Sequence, residues 1–135
     1  MRLLLILFLC LSSHLLHSDP ICETCDLDKV KVTQEYLYDL NFARVQDFLC
    51  TLDESCQDDL EFTKRSNETL FDVVHNAPEV FLKVLQFGKL KNQDFILEEL
   101  GRPSHAGINV EVIRNKIKEQ DEKYMFKYDV LSALK

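Results

Sequence analysis

Apolar residues recur every three or four positions along most of this chain, which is the spacing of amphipathic helices. The first such stripe consists of Leu27, Val30, Leu37, Leu40, Val45, Phe48, Leu49 and Leu52. Asn41 is the candidate point at which this stripe divides into two helices. The segment 30–33 alternates like a strand, but no hairpin turn or second alternating segment lies nearby, so we interpret it as helical.

A third helix is predicted from Leu60 to Val74, loosened around Ser66 and Asn67. The segment 76–79 reads Asn-Ala-Pro-Glu, which predicts that Asn76 caps a fourth helix. We expect that helix to stop at Gly88 in a left-handed conformation, and a short helix ending at Gly101 to follow directly.

One long amphipathic helix is predicted from Asn109 to the end of the chain. Its apolar stripe consists of Val110, Ile113, Ile117, Tyr124, Tyr128, Leu131 and Leu134. Its polar face mixes both charges, which favours packing onto the rest of the core over lying on a membrane.

The chain has only three glycines and three prolines in 135 residues, and it contains no repeat. Short connections between helices fit this composition better than a sheet does. The predicted fold class is therefore all-α, a small disulfide-stapled bundle of about five helices. The predicted division is a signal peptide at 1–18, a helical domain at 19–101 and the C-terminal amphipathic helix at 102–135.

The amino terminus has the features of a secretory signal peptide. Arg2 precedes the apolar run Leu3–Leu9, and Ser18 provides a small residue before Asp19. The run is too short to span a membrane. We therefore expect a soluble protein that is secreted, or delivered to the lumen of the secretory or lysosomal pathway.

The net charge of the full chain is −7, and the predicted signal peptide contains Arg2 but no acidic residue. The mature chain is therefore more acidic still. A protein that binds phosphate backbones needs clustered Lys and Arg, so we expect no nucleic-acid partner. The sequence calls for no cofactor and no metal.

Four cysteines remain after removal of the predicted signal peptide: Cys22, Cys25, Cys50 and Cys56. An even number in an exported chain indicates disulfides, and four cysteines allow three pairings. On an unbroken helix Cys50 and Cys56 would point about 240° apart, which disfavours two parallel disulfides from Cys22 and Cys25 to that helix. A local Cys50–Cys56 bridge across a turn fits better.

Other candidate chemistry is sparse. Acidic residues around the Cys22–Cys25 spacing disfavour a redox dithiol, and the later cysteine spacing disfavours zinc. His75 and His105 lie in no catalytic motif, and the adjacent acids of Asp58–Asp59 and Glu98–Glu99 point to different sides of a helix. We expect no enzymatic activity. Asn67-Glu68-Thr69 is an N-glycosylation acceptor, which we expect to be exposed and modified; the alternative is that the tripeptide occurs by chance.

The opening Cys22-Glu23-Thr24-Cys25, the helix to Cys50 and the segment from Glu54 to Leu60 resemble the saposin-like family. The resemblance covers roughly residues 20–101 and implies a local Cys50–Cys56 bridge. It also implies two later cysteines near the domain's end, which this chain lacks, so Cys22 would pair with Cys25 or with another chain. A fainter similarity, from Cys56 to Leu90, is to the extracellular region of nose-resistant-to-fluoxetine proteins.

The saposin-like resemblance implies a domain whose apolar faces open towards lipid. The candidate lipid or partner face is Val80, Phe81, Val84 and Leu85, and the alternative is that these inward residues of the fourth helix are ordinary core. The expected function is then lipid binding or interaction with a membrane surface. The alternative is a secreted, non-enzymatic recognition protein with a closed helical core, acting as a ligand, receptor partner or effector on another secreted or cell-surface protein.

Overall fold

The computed structural model describes residues 22–135, so the predicted signal peptide and residues 19–21 lie outside the described range. Within that range the chain is helical and contains no strand, which confirms the all-α fold class with disulfide staples. Seven α-helices replace the expected five or so. They are α1 (Leu27–Glu35), α2 (Phe42–Leu49), α3 (Leu60–Asn76), α4 (Pro78–Phe87), α5 (Gln93–Leu100), α6 (Val110–Lys118) and α7 (Lys127–Ala133).

Side-chain caps define the beginnings of the first two helices. The Asp26 carboxylate accepts hydrogen bonds from the backbone N–H groups of Asp28 and Lys29. Asn41 accepts from the N–H of Arg44 and so begins α2. The predicted division at Asn41 is confirmed, because a side chain that caps a new helix satisfies amides that the preceding helix cannot.

Helix α3 runs without interruption, so the expected loosening around Ser66 and Asn67 is wrong. The Ser66 and Thr69 hydroxyls donate to backbone carbonyls one turn earlier, those of Thr63 and Arg65. These bonds satisfy two polar side chains that are buried on the helix. Such local bonding makes a helix with several polar residues compatible with a core position.

The boundary between α3 and α4 falls where the sequence indicates, but its chemistry differs. Asn76 is the last residue of α3 and donates to the Asp72 carbonyl, so it does not cap α4. Pro78 occupies the first turn of α4, where its missing N–H costs nothing. Gly88 ends α4 with φ −76°, and the left-handed residue is instead Lys89, with φ 51°.

The prediction of a single long C-terminal helix is also wrong, since this part of the chain forms two short helices, α6 and α7. The connection between them turns at Asp121, whose carboxylate accepts from the N–H of Lys123. It then buries Tyr124, whose hydroxyl donates to Glu79 Oε1 of α4 at 2.8 Å. A turn that delivers Tyr124 to the core is incompatible with continuous helix.

One hydrophobic core joins all seven helices. α3 lies at its centre and contacts α1, α4, α5 and α6, while α7 packs on α5 and α6. Ile113, Ile117, Val130 and Leu134 bring the last two helices into the same cluster as Phe48 of α2. Residues 102–135 therefore complete the core that the preceding helices begin. In the part of the chain from Cys22 onward, no helix is long and apolar enough to cross a membrane.

Candidate recognition groove

The four cysteines form two disulfides, Cys22–Cys50 and Cys25–Cys56, with Cα–Cα distances of 5.7 and 5.5 Å. The predicted local Cys50–Cys56 bridge is therefore wrong, as is the pairing that the saposin-like resemblance implies. The expected break in the helix is present, since Cys50 follows the end of α2 and Cys56 ends a separate 3-10 turn, Glu54–Cys56. Both cysteines are nevertheless bonded to the segment before α1 and not to each other. The turn brings both sulfurs to residues 22–26, which precede α1 and which we call the N-terminal arm.

The two disulfides differ in exposure. Cys56 is only 4% exposed and belongs to the core, whereas Cys22 is exposed and Cys50 half-buried. A backbone bond from the N–H of Cys25 to the Thr51 carbonyl (2.9 Å) adds to the inner attachment. The arm is thus held internally by Cys25 and at the surface by Cys22.

A groove of about 620 Å³ lies beside the outer disulfide. We call it the disulfide groove. Its lining comes from three segments: the N-terminal arm (Cys22, Thr24), the end of α2 with the turn after it (Gln46, Asp47, Cys50, Leu52, Asp53), and the connection between α4 and α5 (Gly88, Lys89, Leu90, Lys91, Asn92). This volume lies within the usual range for small-ligand sites.

Side chains that bond to backbone carbonyls hold the α4–α5 connection against α2. Gln46 Nε2 donates to the Gly88 carbonyl, and Asn92 Nδ2 donates to the Leu49 carbonyl, both at 2.8 Å. Asn92 also donates to the Leu52 carbonyl. These bonds satisfy carbonyls at the ends of α4 and α2 and fix the α4–α5 connection relative to the α2 side of the groove.

Charge is distributed unevenly around the groove. Lys89 and Lys91 are exposed on one wall, and neither forms an ion pair with a carboxylate of residues 22–135. Asp47 and Asp53 lie among the residues of the α2 side. Asp53 accepts hydrogen bonds from Ser55, which lower the pKa of its carboxyl and occupy it as the cap of the 3-10 turn.

The residues of the candidate lipid face do not lie at the surface of the bundle. Phe81, Val84 and Leu85 are fully buried, and Val80 is partly buried against the same core. In the closed bundle these side chains are therefore part of the core, and lipid could reach them only if the bundle opened. The spacing of three and four residues is that of a helix side packed on a core.

The expected exposure of Asn67 is also wrong, because this side chain is 4% exposed. Its Nδ2 atom donates to the Glu99 carbonyl, to Glu99 Oε2 (3.0 Å) and to the Arg102 carbonyl. Its Oδ1 atom accepts from the N–H of Ser104. The nitrogen that would carry a glycan instead joins α3 to the segment that follows α5.

The remaining sequence candidates take part in local contacts. His75 and its carbonyl meet Lys116 Nζ, and His105 lies 3.7 Å from Glu68. Glu98 pairs with Arg102 whereas Glu99 bonds to Asn67, so these adjacent acids do point apart. Asp59 caps α3 through the N–H of Phe62, and its neighbour Asp58 is exposed.

The described part of the chain offers few side chains that could bind a metal ion. All four of its cysteines are in disulfides. No group of three or more His, Cys, Asp or Glu residues within 22–135 is arranged to hold a metal ion. Within residues 22–135 the disulfide groove is a candidate functional site that needs no metal.

Comparisons of the chain with known protein families, with curated proteins and with solved structures find no match. The two disulfides indicate that the chain matures outside the cytosol, because such bonds persist in oxidising compartments. Sequence reasoning missed the groove entirely. We expected α5 to follow α4 directly, but residues 88–92 form a connection between them, and this connection supplies one wall of the groove.

Proposed function

We propose that this chain is a secreted, non-enzymatic recognition protein that binds a segment of another extracellular protein in the disulfide groove. The observation that carries the proposal is the construction of the groove. Its three walls come from distant parts of the sequence and are joined by the Cys22–Cys50 disulfide and by side chains that bond to backbone. A pocket held in shape before binding loses little conformational freedom on association.

Lipid binding is the other candidate that the sequence suggested, and the packing of α4 weighs against it. Binding through the candidate face would require Phe81, Val84 and Leu85 to leave the core. Each fully buried apolar side chain stabilises the closed bundle by about 1.5–3 kcal/mol. Opening the bundle against that stabilisation needs compensating contact with lipid along several helices.

A peptide-display selection on the oxidised, immobilised protein tests the proposal. Peptides enriched on the wild type should bind saturably and should lose binding to Thr24→Trp, which places an indole in the groove. They should bind normally to Ser132→Trp, a matched substitution at an exposed position of α7. Enriched peptides that bind both variants equally would overturn the proposal, as would a selection that yields no saturable binder.

Co-sedimentation with vesicles distinguishes lipid binding from recognition of a protein segment in the groove. We expect the folded protein to remain in the supernatant with both zwitterionic and anionic vesicles at neutral pH. Stoichiometric pelleting that persists in Thr24→Trp would favour membrane interaction over recognition through the groove.

A further inference from the structure

We propose that the outer disulfide, Cys22–Cys50, is a site of thiol–disulfide exchange with a dithiol reductant, and that its reduction opens the disulfide groove while the bundle stays folded. Selective reduction of this bridge follows from the burial of the two disulfides and depends on no ligand. The effect on binding rests on the proposed function, because Cys22 and Thr24 supply one wall of the groove.

The two disulfides differ in how easily a reductant can reach them. Cys22 is exposed and Cys50 is half-buried, and both line the groove. Cys56 is 4% exposed, and its partner Cys25 is partly buried against the core, so the inner bridge is shielded. Exchange requires contact between the attacking sulfur and a disulfide sulfur, so exposure decides which bridge is reduced first.

The tip of the N-terminal arm, which consists of Cys22, Glu23 and Thr24, depends on the outer disulfide for its position. All three residues are exposed. Within residues 22–135, their N and O atoms form no hydrogen bond or ion pair with the helices or the connections between them. The next attachment is at Cys25, whose N–H donates to the Thr51 carbonyl and whose sulfur forms the inner bridge. Breaking the outer bridge therefore releases the arm tip and leaves α1 in place.

The exchange balances with a reductant that carries two thiols. One of its thiolates attacks Cys22 Sγ, forms a mixed disulfide and expels the Cys50 thiolate. Its second thiolate then attacks the reductant's own sulfur in the mixed disulfide and expels the Cys22 thiolate. Two electrons pass to the protein, whose thiolates take up the protons that the reductant's thiols released, and the reductant leaves as a disulfide. Cys22 is the point of attack because it is the more exposed residue of the pair.

Release of the arm tip removes one of the three walls of the groove. The other two keep their positions, because Gln46 Nε2 still donates to the Gly88 carbonyl and Asn92 Nδ2 to the Leu49 carbonyl. A ligand that contacts the arm tip loses that part of its contact, and the site is no longer held in shape before binding. The oxidised protein is therefore the stronger binder and the reduced protein the weaker one.

Limited reduction of the folded protein tests the exchange. The oxidised protein is incubated with dithiothreitol in native buffer and blocked with iodoacetamide at intervals, and mass spectrometry of its peptides locates the label. We expect Cys22 and Cys50 to be labelled about tenfold faster than Cys25 and Cys56, since reduction of the inner bridge must wait for local opening of the bundle. Circular dichroism should remain native while the outer pair alone is labelled.

Two controls show whether burial causes the difference. Cys22→Ala, Cys50→Ala keeps only the inner bridge and should take up no label during the period in which the outer bridge of the wild type is reduced. In urea that unfolds the protein, the two bridges of the wild type should react at similar rates, because neither is shielded there. Equal rates in the folded wild type, or labelling that begins only as the circular dichroism signal is lost, would overturn the proposal.

Peptides from the display selection test the effect on the groove. Peptides that lose binding to Thr24→Trp should bind the selectively reduced and blocked protein about tenfold more weakly than the oxidised protein, because the arm tip no longer contacts them. Cys22→Ala, Cys50→Ala should bind them equally weakly with or without reductant, which separates release of the arm tip from any effect of the blocking group. Unchanged binding after reduction would overturn the control of the groove by this disulfide.

Selective reduction and the proposed function fail separately. If the display selection yields no groove-dependent peptide, the proposed function falls and the effect on binding falls with it, whereas the labelling experiment alone decides selective reduction. If groove-dependent peptides are found but the two bridges are reduced at equal rates, the recognition function stands and the exchange site is wrong.

Discussion

Phe81 and Phe87 lie on opposite sides of the same helix, α4, with none of the Phe81 side chain and 62% of Phe87 exposed. Six residues separate them, which corresponds to a rotation of about 240° around the helix axis. The pair therefore offers a matched comparison of an aromatic ring in the core and one on the surface.

Phe81→Ala should lower the free energy of unfolding by about 3–5 kcal/mol, because it removes a buried ring and leaves a cavity. Phe87→Ala should change it by less than about 1 kcal/mol. Urea unfolding followed by circular dichroism measures both. Similar losses from the two variants would contradict the inward orientation of the candidate lipid face.

Asn67→Ala should cost about 2–4 kcal/mol in a host that adds no glycans, because the carbonyls of Glu99 and Arg102 and the Ser104 N–H would lose their partner. Asn115→Ala, at an exposed position of α6, is the control and should cost nothing measurable. The same unfolding assay applies. A neutral result at Asn67 would show that these bonds do not hold α3 to the segment after α5.

In a glycosylating host, the folded secreted protein should carry no glycan at Asn67. The side-chain nitrogen that would carry the glycan is buried and directs its two N–H groups at three oxygens of Glu99 and Arg102, so a sugar there would exclude the native contacts. Intact mass spectrometry before and after enzymatic deglycosylation measures this directly. Uniform modification of protein that unfolds cooperatively would refute the prediction.

The inner disulfide should contribute more stability than the outer one. The two close loops of similar length, 28 and 31 residues, so each should contribute about 3–4 kcal/mol by constraining the unfolded chain. Replacing Cys25 and Cys56 by Ala additionally removes a buried sulfur from the core, so this variant should lose about 1–2 kcal/mol more than Cys22→Ala, Cys50→Ala. Urea unfolding without reductant ranks them, and the reverse order would contradict the burial difference.

Glu79 should make stability depend on pH in the acid range. Hydrogen bonds from Lys83 and from the Tyr124 hydroxyl lower the pKa of its carboxyl in the folded state. A lowered folded pKa contributes stability above the unfolded pKa, and that contribution is lost as pH falls through the folded value.

Glu79→Gln should therefore be less stable than the wild type at neutral pH, and the difference should shrink between about pH 5 and pH 3. Thermal unfolding across that range tests it. Phe87→Ala, which removes no titratable group, should show no such convergence. A difference that stays constant down to pH 3 would mean that the Glu79 contacts are not electrostatic.

Local signals in the sequence predicted much of the bundle. Helices begin after Asn41 and after Asn109 as expected, and each side chain caps its helix by accepting an N–H from it, a contact that needs no distant partner. The apolar stripes likewise marked the core, including Phe48 and Ile117.

The groove and the disulfide pairing depended on contacts that spacing does not encode. Gln46 and Gly88 are 42 residues apart, and their bond forms only once α2 and α4 have packed. The turn between Cys50 and Cys56 was predicted, but the pairing of Cys25 with Cys56 also depends on where the N-terminal arm packs, which the spacing of the cysteines does not give. Helix faces are local properties, whereas a pocket is a property of the assembled bundle.

Both disulfides join the arm before α1 to the segment after α2, so α1, α2 and their connection form a covalently closed loop. The connection includes Tyr38, which is 99% exposed and is the natural place for an extracellular protease to cut. A cut there leaves the two fragments attached through both bridges, and the mass rises only by the water added. The chain can thus be nicked and still keep its groove intact.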